Sequence, residues 1–174
     1  MGVGFQSSGP TGAEGFTITT GRMLVDYLRG RMLAYLDTGL NVVHVRDVAR
    51  GHILAAARGR VGQRYILGHA GGNLPLREIF VRLAPHTGIR APAFRLPHAG
   101  ARAVAEACEA WSLLSGREPA VCRTAVRMAA KRMFFDPGKA IAELQLPQTD
   151  VEVALRDAVE WFWAHGYAPR RRAV

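Results

Sequence analysis

The residues best placed to do chemistry lie in one short run, Val43-His44-Val45-Arg46-Asp47-Val48-Ala49. An apolar, strand-like stretch carrying an imidazole leads directly into a carboxylate at the start of a helical pattern. A histidine can change charge near neutrality, and its tautomer can be set by a neighbouring carbonyl. Asp47 can accept from the free N–H groups of a first helical turn, as a structural cap does. A structural role for both residues is the simpler reading, with catalysis the sharper one. Arg22, Arg127 and Arg132 carry planar forks able to grip an anionic ligand, and each serves equally well as a solvated surface charge.

Other chemistries find little support. Gly2-Val3-Gly4 and Gly68-His69-Ala70-Gly71-Gly72 are the glycine clusters able to approach a phosphate. Neither forms G-x-G-x-x-G between a strand and a helix, and there is no P-loop, so both read as loop punctuation. Ser7 and Ser8 have no evident His and Asp partners for a nucleophilic triad. The histidines, at 44, 52, 69, 86, 98 and 165, form no H-x-x-x-H or H-E-x-x-H pair. Cys108 and Cys122 form no C-x-x-C, so neither a metal site nor a disulfide framework is expected. Cys108 lies on an apolar helical stripe, where a free cysteine is a small core residue.

The elements that must position these groups follow from periodicity and punctuation. Residues 1–16 are rich in glycine and small residues and read as a strand end or loop. A helix is expected from about Thr20, with Met23, Leu24, Tyr27 and Leu28 on one face and Gly30 as its stop. Leu33–Leu36 and Asn41–Val45 are strand candidates around the turn Asp37-Thr38-Gly39. A helix capped by Asp47 runs to about Arg58, and Arg64–Leu67 reads as a strand entering the glycine-rich stretch. Leu76, Ile79, Phe80 and Leu83 have helical spacing, with Pro85 expected to kink or end that helix early. Phe94 sits in a short extended piece. A long helix over about 98–115 is expected to bury Val104, Cys108, Trp111 and Leu114, and another to span Ala120–Ala130. Met133-Phe134-Phe135 looks extended, and Asp136-Pro137 reads as a cap followed by a first-turn proline. Thr149 and Glu152 have capping-box spacing before a last helix with stripe Val151, Leu155, Val159 and Phe162. The tail from Ala168, with Arg170-Arg171-Arg172, is expected to fray. About six helices and three or four short strands are too few strands for a full doubly wound sheet.

Composition narrows the classes further. The 174 residues are 49% hydrophobic and 21% charged, which excludes a disordered chain and allows a sizeable core. No apolar run approaches the roughly 20 residues that span a bilayer, and no signal-peptide pattern opens the chain, so a cytoplasmic protein is expected. The net charge of +9 invites a nucleic-acid partner. However, the cations are almost all arginine, with Lys131 and Lys139 the exceptions, a skew that coding bias also produces. Trp111, Trp161 and Trp163 sit in or beside apolar stripes rather than on basic faces, which argues against base stacking.

The order of motifs is recognisable. Thr20-Gly21-Arg22-Met23, Asp37-Thr38-Gly39-Leu40-Asn41, His44-Val45-Arg46-Asp47-Val48-Ala49, Arg64-Tyr65-Ile66-Leu67-Gly68, Lys131-Arg132-Met133-Phe134-Phe135 and Ala158-Val159-Glu160-Trp161-Phe162 follow in series. Over residues 17–167 the chain resembles the C-terminal half of an extended short-chain dehydrogenase/reductase of the NAD-dependent epimerase/dehydratase family. Within that family the resemblance runs to the hopanoid-associated sugar epimerase subgroup, which is itself similar to dihydroflavonol reductases.

The fold so implied is α/β. It is a partial Rossmann-type extended enzyme that is mostly helical with a few short strands, its N-terminal dinucleotide-binding half absent. Residues 1–16 are then a loop remnant of that half, 17–167 the substrate-binding region and 168–174 a basic tail. The function implied is that of the substrate-binding segment of an NAD(P)-dependent sugar epimerase, inactive alone. Neither a dinucleotide fingerprint nor a Tyr-x-x-x-Lys is present, since Tyr27, Tyr35, Tyr65 and Tyr167 all lack a lysine four residues on. No catalytic residue is therefore carried over. By resemblance, Ser8 and Pro10 fall in a loop near the nicotinamide, and Arg22, Asn41, His44, Arg127 and Arg132 line the substrate pocket, with Asp47 as a cap. A sugar-type substrate, NAD or NADP, no metal and a separately encoded Rossmann half as partner are implied. The alternative is a stand-alone basic module for an acidic partner, nucleic acid or anionic lipid.

Overall fold

The computed structural model describes residues 20–115, 126 and 131–170. Its first helix, α1 (Thr20–Leu28), buries Leu24, Val25, Tyr27 and Leu28 and stops at Gly30, whose φ of 70° is left-handed. The chain then makes β1 (Ala34–Leu36), turns through Asp37-Thr38 and makes β2 (Gly39–Asn41). Next come α2 (Val45–Arg58), β3 (Asn73–Pro75), α3 (Leu76–Thr87), β4 (Phe94–Leu96) and α4 (His98–Ser115). The final helices are α5 (Gly138–Leu144) and α6 (Val151–Ala164).

The strands form two small sheets rather than one. β1 lies parallel to β4, with Tyr35 opposite Arg95, and β2 lies antiparallel to β3, with Leu40 opposite Leu74. A parallel bridge joins Leu40 to Met133, through an N–H of Met133 that donates to the Gly39 carbonyl at 2.8 Å. The bulk of the burial is helical. Tyr27 and Leu28 of α1, Phe80 and Leu83 of α3 and Val159 of α6 are fully buried in the main core. Each such side chain contributes about 1.5–3 kcal/mol of transfer free energy. A second cluster packs Ala140, Leu144 and Leu146 against Leu54, Ala55, Tyr65 and Leu67. A third packs Ala101, Ala105 and Val126 on Leu36 and Leu96.

Several expectations are corrected. The second strand sits earlier than its apolar run, at Gly39–Asn41, because the backbone of Val42 pairs with Gly72 and His44 already caps α2. Arg64–Leu67 belongs to no ladder. Pro85 does not end α3, which runs to Thr87. It falls in the last turn, where one missing N–H is tolerated while the Thr87 hydroxyl donates to the Leu83 carbonyl at 2.9 Å. On α4 the buried face is Ala101 and Ala105, whereas Val104 is 47% and Trp111 69% exposed and Cys108 half-buried. Close approach to the ends of β1 and β4 admits alanine there and leaves the larger stripe outside. The Leu114 side chain, the helix expected over 120–130, apart from Val126, and Cys122 lie outside what is described. The tail starts as part of the fold: Ala168 is buried in the main cluster, and the Arg170 guanidinium lies 5.2 Å from the Trp163 ring centroid.

Candidate functional site

The best-organised polar region surrounds the end of β2. Asn41, half-buried, turns its amide onto the glycine-rich loop, where its Oδ1 accepts from the His69 N–H at 2.9 Å. Its Nδ2 donates to the His69 carbonyl at 2.9 Å and to Asn73 Oδ1 at 2.8 Å. Asn73 passes the connection on, accepting from the Phe135 N–H at 3.0 Å and donating to the Phe135 carbonyl at 2.9 Å. One asparagine pair thus ties together β2, the loop after residue 67 and the chain leaving Met133. Every polar atom of these two amides that is engaged serves backbone or the other amide, which is how a buried amide avoids a desolvation cost.

This geometry decides what the glycines do. A Cβ on Gly68 would lie 2.7 Å from Asn41 Oδ1, and one on Gly72 would lie 2.2 Å from the Val42 carbonyl oxygen. The space a phosphate cradle would use is filled by the protein's own amide and carbonyl. The Gly68–Gly72 turn is thus packed against the protein's own groups, and Ser8 and Pro10 lie outside the described residues. Nor do any three His, Cys, Asp or Glu side chains among those described come together in a way that could hold a metal ion.

His44 follows three residues on and is 3% exposed. Its Nδ1 accepts from the Arg46 N–H at 3.1 Å, making His44 itself the N-cap of α2. With Nδ1 an acceptor, Nε2 carries the proton and donates to Asp157 Oδ2 of α6 at 3.2 Å. That imidazole, with Arg156 3.4 Å from the other oxygen, holds the Asp157 carboxyl below its ordinary value. Asp47 is consequently not the cap of α2. It lies in the first turn, buried, and its carboxylate accepts from the Thr149 N–H at 2.6 Å and the Thr149 hydroxyl at 2.9 Å. The expected Thr149 cap of the last helix gives way for the same reason: Thr149 is taken by Asp47, and Asp150 caps α6 by accepting from the Glu152 N–H at 2.7 Å.

The arginines separate. Arg132 stands beside the Met133 bridge, 3.6 Å from Asp37, which Arg95 of β4 also contacts at 2.5 Å. Arg22 lies on α1, 3.9 Å from Asp26 on the same helix, and Arg127 is outside the described residues. Asn41, His44 and Arg132 thus engage separate partners: Asn41 the glycine loop and Asn73, His44 Asp157 of α6, and Arg132 Asp37. Sequence reasoning gave Asn73 and Asp157 no role, and it gave Thr149 only a cap and Asp37 only a turn. Each is joined to its partner across a long stretch of chain, so no local spacing marks it. A second polar cluster lies on the far side of α5. Tyr65 donates to Glu143 Oε2 at 2.8 Å and Arg60 pairs with the same carboxylate, whose pKa these two contacts lower.

No family model matches the chain. A Synechocystis sp. relative, assigned by name to the dihydroflavonol 4-reductases, is 43% identical over 152 residues, covering 85% of this chain and 44% of that protein. A solved Pseudomonas aeruginosa structure titled a nucleoside-diphosphate-sugar epimerase is 30% identical, covers 86% of this chain and 44% of its own, and superposes with a TM-score of 0.65. A Bacillus cereus UDP-glucuronic acid 4-epimerase solved with NAD shares the fold at 15% identity and a TM-score of 0.51, over 82% of this chain and 38% of that one. The chain thus spans less than half the length of the proteins it matches.

Proposed function

The chain is a relative of the extended short-chain dehydrogenase/reductases, in their NAD-dependent epimerase and reductase branch, and corresponds to their C-terminal half; from that premise we propose that it is the substrate-binding half of an NAD(P)-dependent sugar epimerase or reductase. The observation that supports this reading is the likeness to the Synechocystis and Pseudomonas aeruginosa proteins over 85–86% of this chain but only 44% of each of those. On this reading the chain supplies an internally braced frame for the substrate and leaves the dinucleotide to another part of the enzyme. A nicotinamide bound there would supply the hydride chemistry at a substrate carbon.

Within this reading residues 17–167 form the substrate region, extended at least to Ala168 by its burial. Arg132 pairs with an anionic or hydroxyl-rich substrate face, the Asn41 amide fixes the loop beneath it, and His44 holds the wall by joining α2 to α6. Arg127 adds a second cation to the pocket, and Ser8 and Pro10 lie toward the cofactor. The substrate class is a sugar, in the hopanoid-lipid context of the subgroup the sequence resembles.

The test is titration of the purified 174-residue chain with NADH and with NADPH, read by nicotinamide fluorescence. No saturable binding is expected in the micromolar to low millimolar range. A saturable, stoichiometric isotherm would show that the chain holds the cofactor itself and would overturn the division of labour.

A further inference from the structure

Helix α4 carries two parallel stripes, and only one of them is covered. Ala101, Ala105, Cys108 and Ser112 recur at helical spacing, and Ala101 and Ala105 are buried beside Leu36 and Leu96. One position before each of these stand Gly100, Val104, Ala107 and Trp111, which share the neighbouring face at the same spacing. This second stripe lies open: Val104 is 47% and Trp111 69% exposed, and Ala107 is exposed as well. Phe94, 74% exposed, shares a face of β4 with Leu96 and so lies on the α4 side of that sheet. Gly100 is the unexplained member of the stripe. Glycine inside a helix is costly relative to alanine, and the φ of Gly100 is not positive. A Cβ there would meet, among the described residues, only Leu96 Cδ1 at 3.7 Å, an ordinary contact. Nothing described within the chain therefore calls for glycine at this position.

We propose that α4 pairs antiparallel with α4 of a second copy of this chain, Trp111 of each copy seated over Gly100 of the other and Val104 against Ala107. The side-chain sizes along the stripe choose that occupant. From its N-terminal end the stripe runs glycine, valine, alanine, tryptophan, and from its C-terminal end the order is reversed. A two-fold axis between Ala105 and Glu106 therefore sets the largest side chain on the smallest and the two intermediate ones on each other, as an isologous interface requires. Each indole so seated brings an aromatic payload of about 150–250 Å² to the contact. An anionic membrane fits the helix less well, because interfacial helices carry Lys and Arg on their polar face. The described charged side chains of α4, Arg102 and Glu106, are instead of opposite sign and lie away from the stripe. Two short helix faces bury less than the roughly 1,200 Å² of a standard interface, so the dimer is weak and concentration-dependent. The pairing holds whether or not the chain is half of an enzyme.

The experiment is sedimentation equilibrium of the 174-residue chain from low micromolar to near-millimolar concentration. A monomer–dimer equilibrium is expected. Trp111→Ala, which removes the knob, and Gly100→Gln, which fills the hole, should each raise the dissociation constant by at least ~10-fold while circular dichroism stays native. Val81→Ala, at an exposed apolar position on α3, should leave it unchanged. The direction of pairing is read by cross-linking in a background with Cys108→Ser and Cys122→Ser. Oxidising a mixture of Val104→Cys and Ala107→Cys chains should join one of each, since antiparallel pairing brings those positions together. Monomer throughout, open-ended association, a dimer indifferent to both stripe variants, or preferred 104–104 linkage would each overturn the proposal. Adsorption to phosphatidylserine vesicles that needs Trp111, with no dimer in solution, would also overturn it and assign the stripe to a lipid surface.

Discussion

Removing the Asp47 carboxylate should destabilise the chain more than any cap deletion would. The side chain is 4% exposed and joins the first turn of α2 to the residue before the cap of α6, accepting two hydrogen bonds from Thr149 at 2.6 and 2.9 Å. A hydrogen bond to a charged group contributes about 1.5–3 kcal/mol net. Thr149 is half-buried, so water can replace part of what it loses. The carboxylate also faces the positive end of α2, worth about 0.3–1 kcal/mol. Asp47→Ala is therefore expected to cost about 2–4 kcal/mol, against ~1 kcal/mol for loss of an ordinary N-cap. In urea denaturation, with a slope of about 2 kcal/mol/M, the midpoint should fall by about 1–2 M. Asp47→Asn retains one acceptor and should lose about half as much. Thr149→Val removes the hydroxyl bond alone, and a double-mutant cycle should show coupling of about 1 kcal/mol. A loss below ~0.5 kcal/mol for Asp47→Ala, or strict additivity with Thr149→Val, would refute the assignment of Asp47 as an interhelical anchor.

Three further outcomes follow from the same structure. Gly72→Ala should destabilise by about 1–3 kcal/mol, because its Cβ would meet the Val42 carbonyl oxygen at 2.2 Å across a backbone hydrogen bond, and this is read from the thermal midpoint. The Asp157 carboxyl is held low by the His44 imidazole, so its contribution is present above the unfolded value of about 3.9 and lost as pH falls through the folded one. Asp157→Asn should accordingly flatten the fall of stability below about pH 4, and an unchanged acid limb in denaturation curves would count against the pair. Phe80→Ala, removing a ring that is fully buried 4.9 Å from that of Tyr27, should cost about 3–5 kcal/mol in the same assay, and a loss under 1 kcal/mol would mean that α1 and α3 do not share a core.

How much of this was legible in the sequence depends on how far apart the interacting residues lie. The amphipathic helices α1, α3 and α6 announce themselves because their apolar spacing and stops, Gly30 and Gly166 among them, are local. So is the extended run at Met133. The α4 stripe misled for a physical reason: helical spacing marks an apolar face but does not say that a neighbour covers it, and here alanines face the neighbour. Arg64–Leu67 misled in the opposite sense, since alternation describes side chains and a strand also needs a partner for its backbone. At the candidate site, His44 and Asn41 stood out by type and setting, but Asp157 and Asn73 became visible only when the fold brought α6 and the glycine loop to them. Asp47 was singled out correctly as a residue with a task, and the task differs because His44, two positions before Arg46, reaches the free N–H first.

The central claim, that this chain is one half of a nicotinamide-dependent enzyme, meets its most direct test in complementation. NADH and NADPH oxidation would be followed at 340 nm with keto-sugar substrates, using the 174-residue chain alone, the N-terminal part of the Synechocystis relative alone, and the two together. The account predicts turnover in the mixture, lost with Arg132→Ala at the pocket, and none in either half. Hydride transfer by the 174-residue chain alone would contradict it.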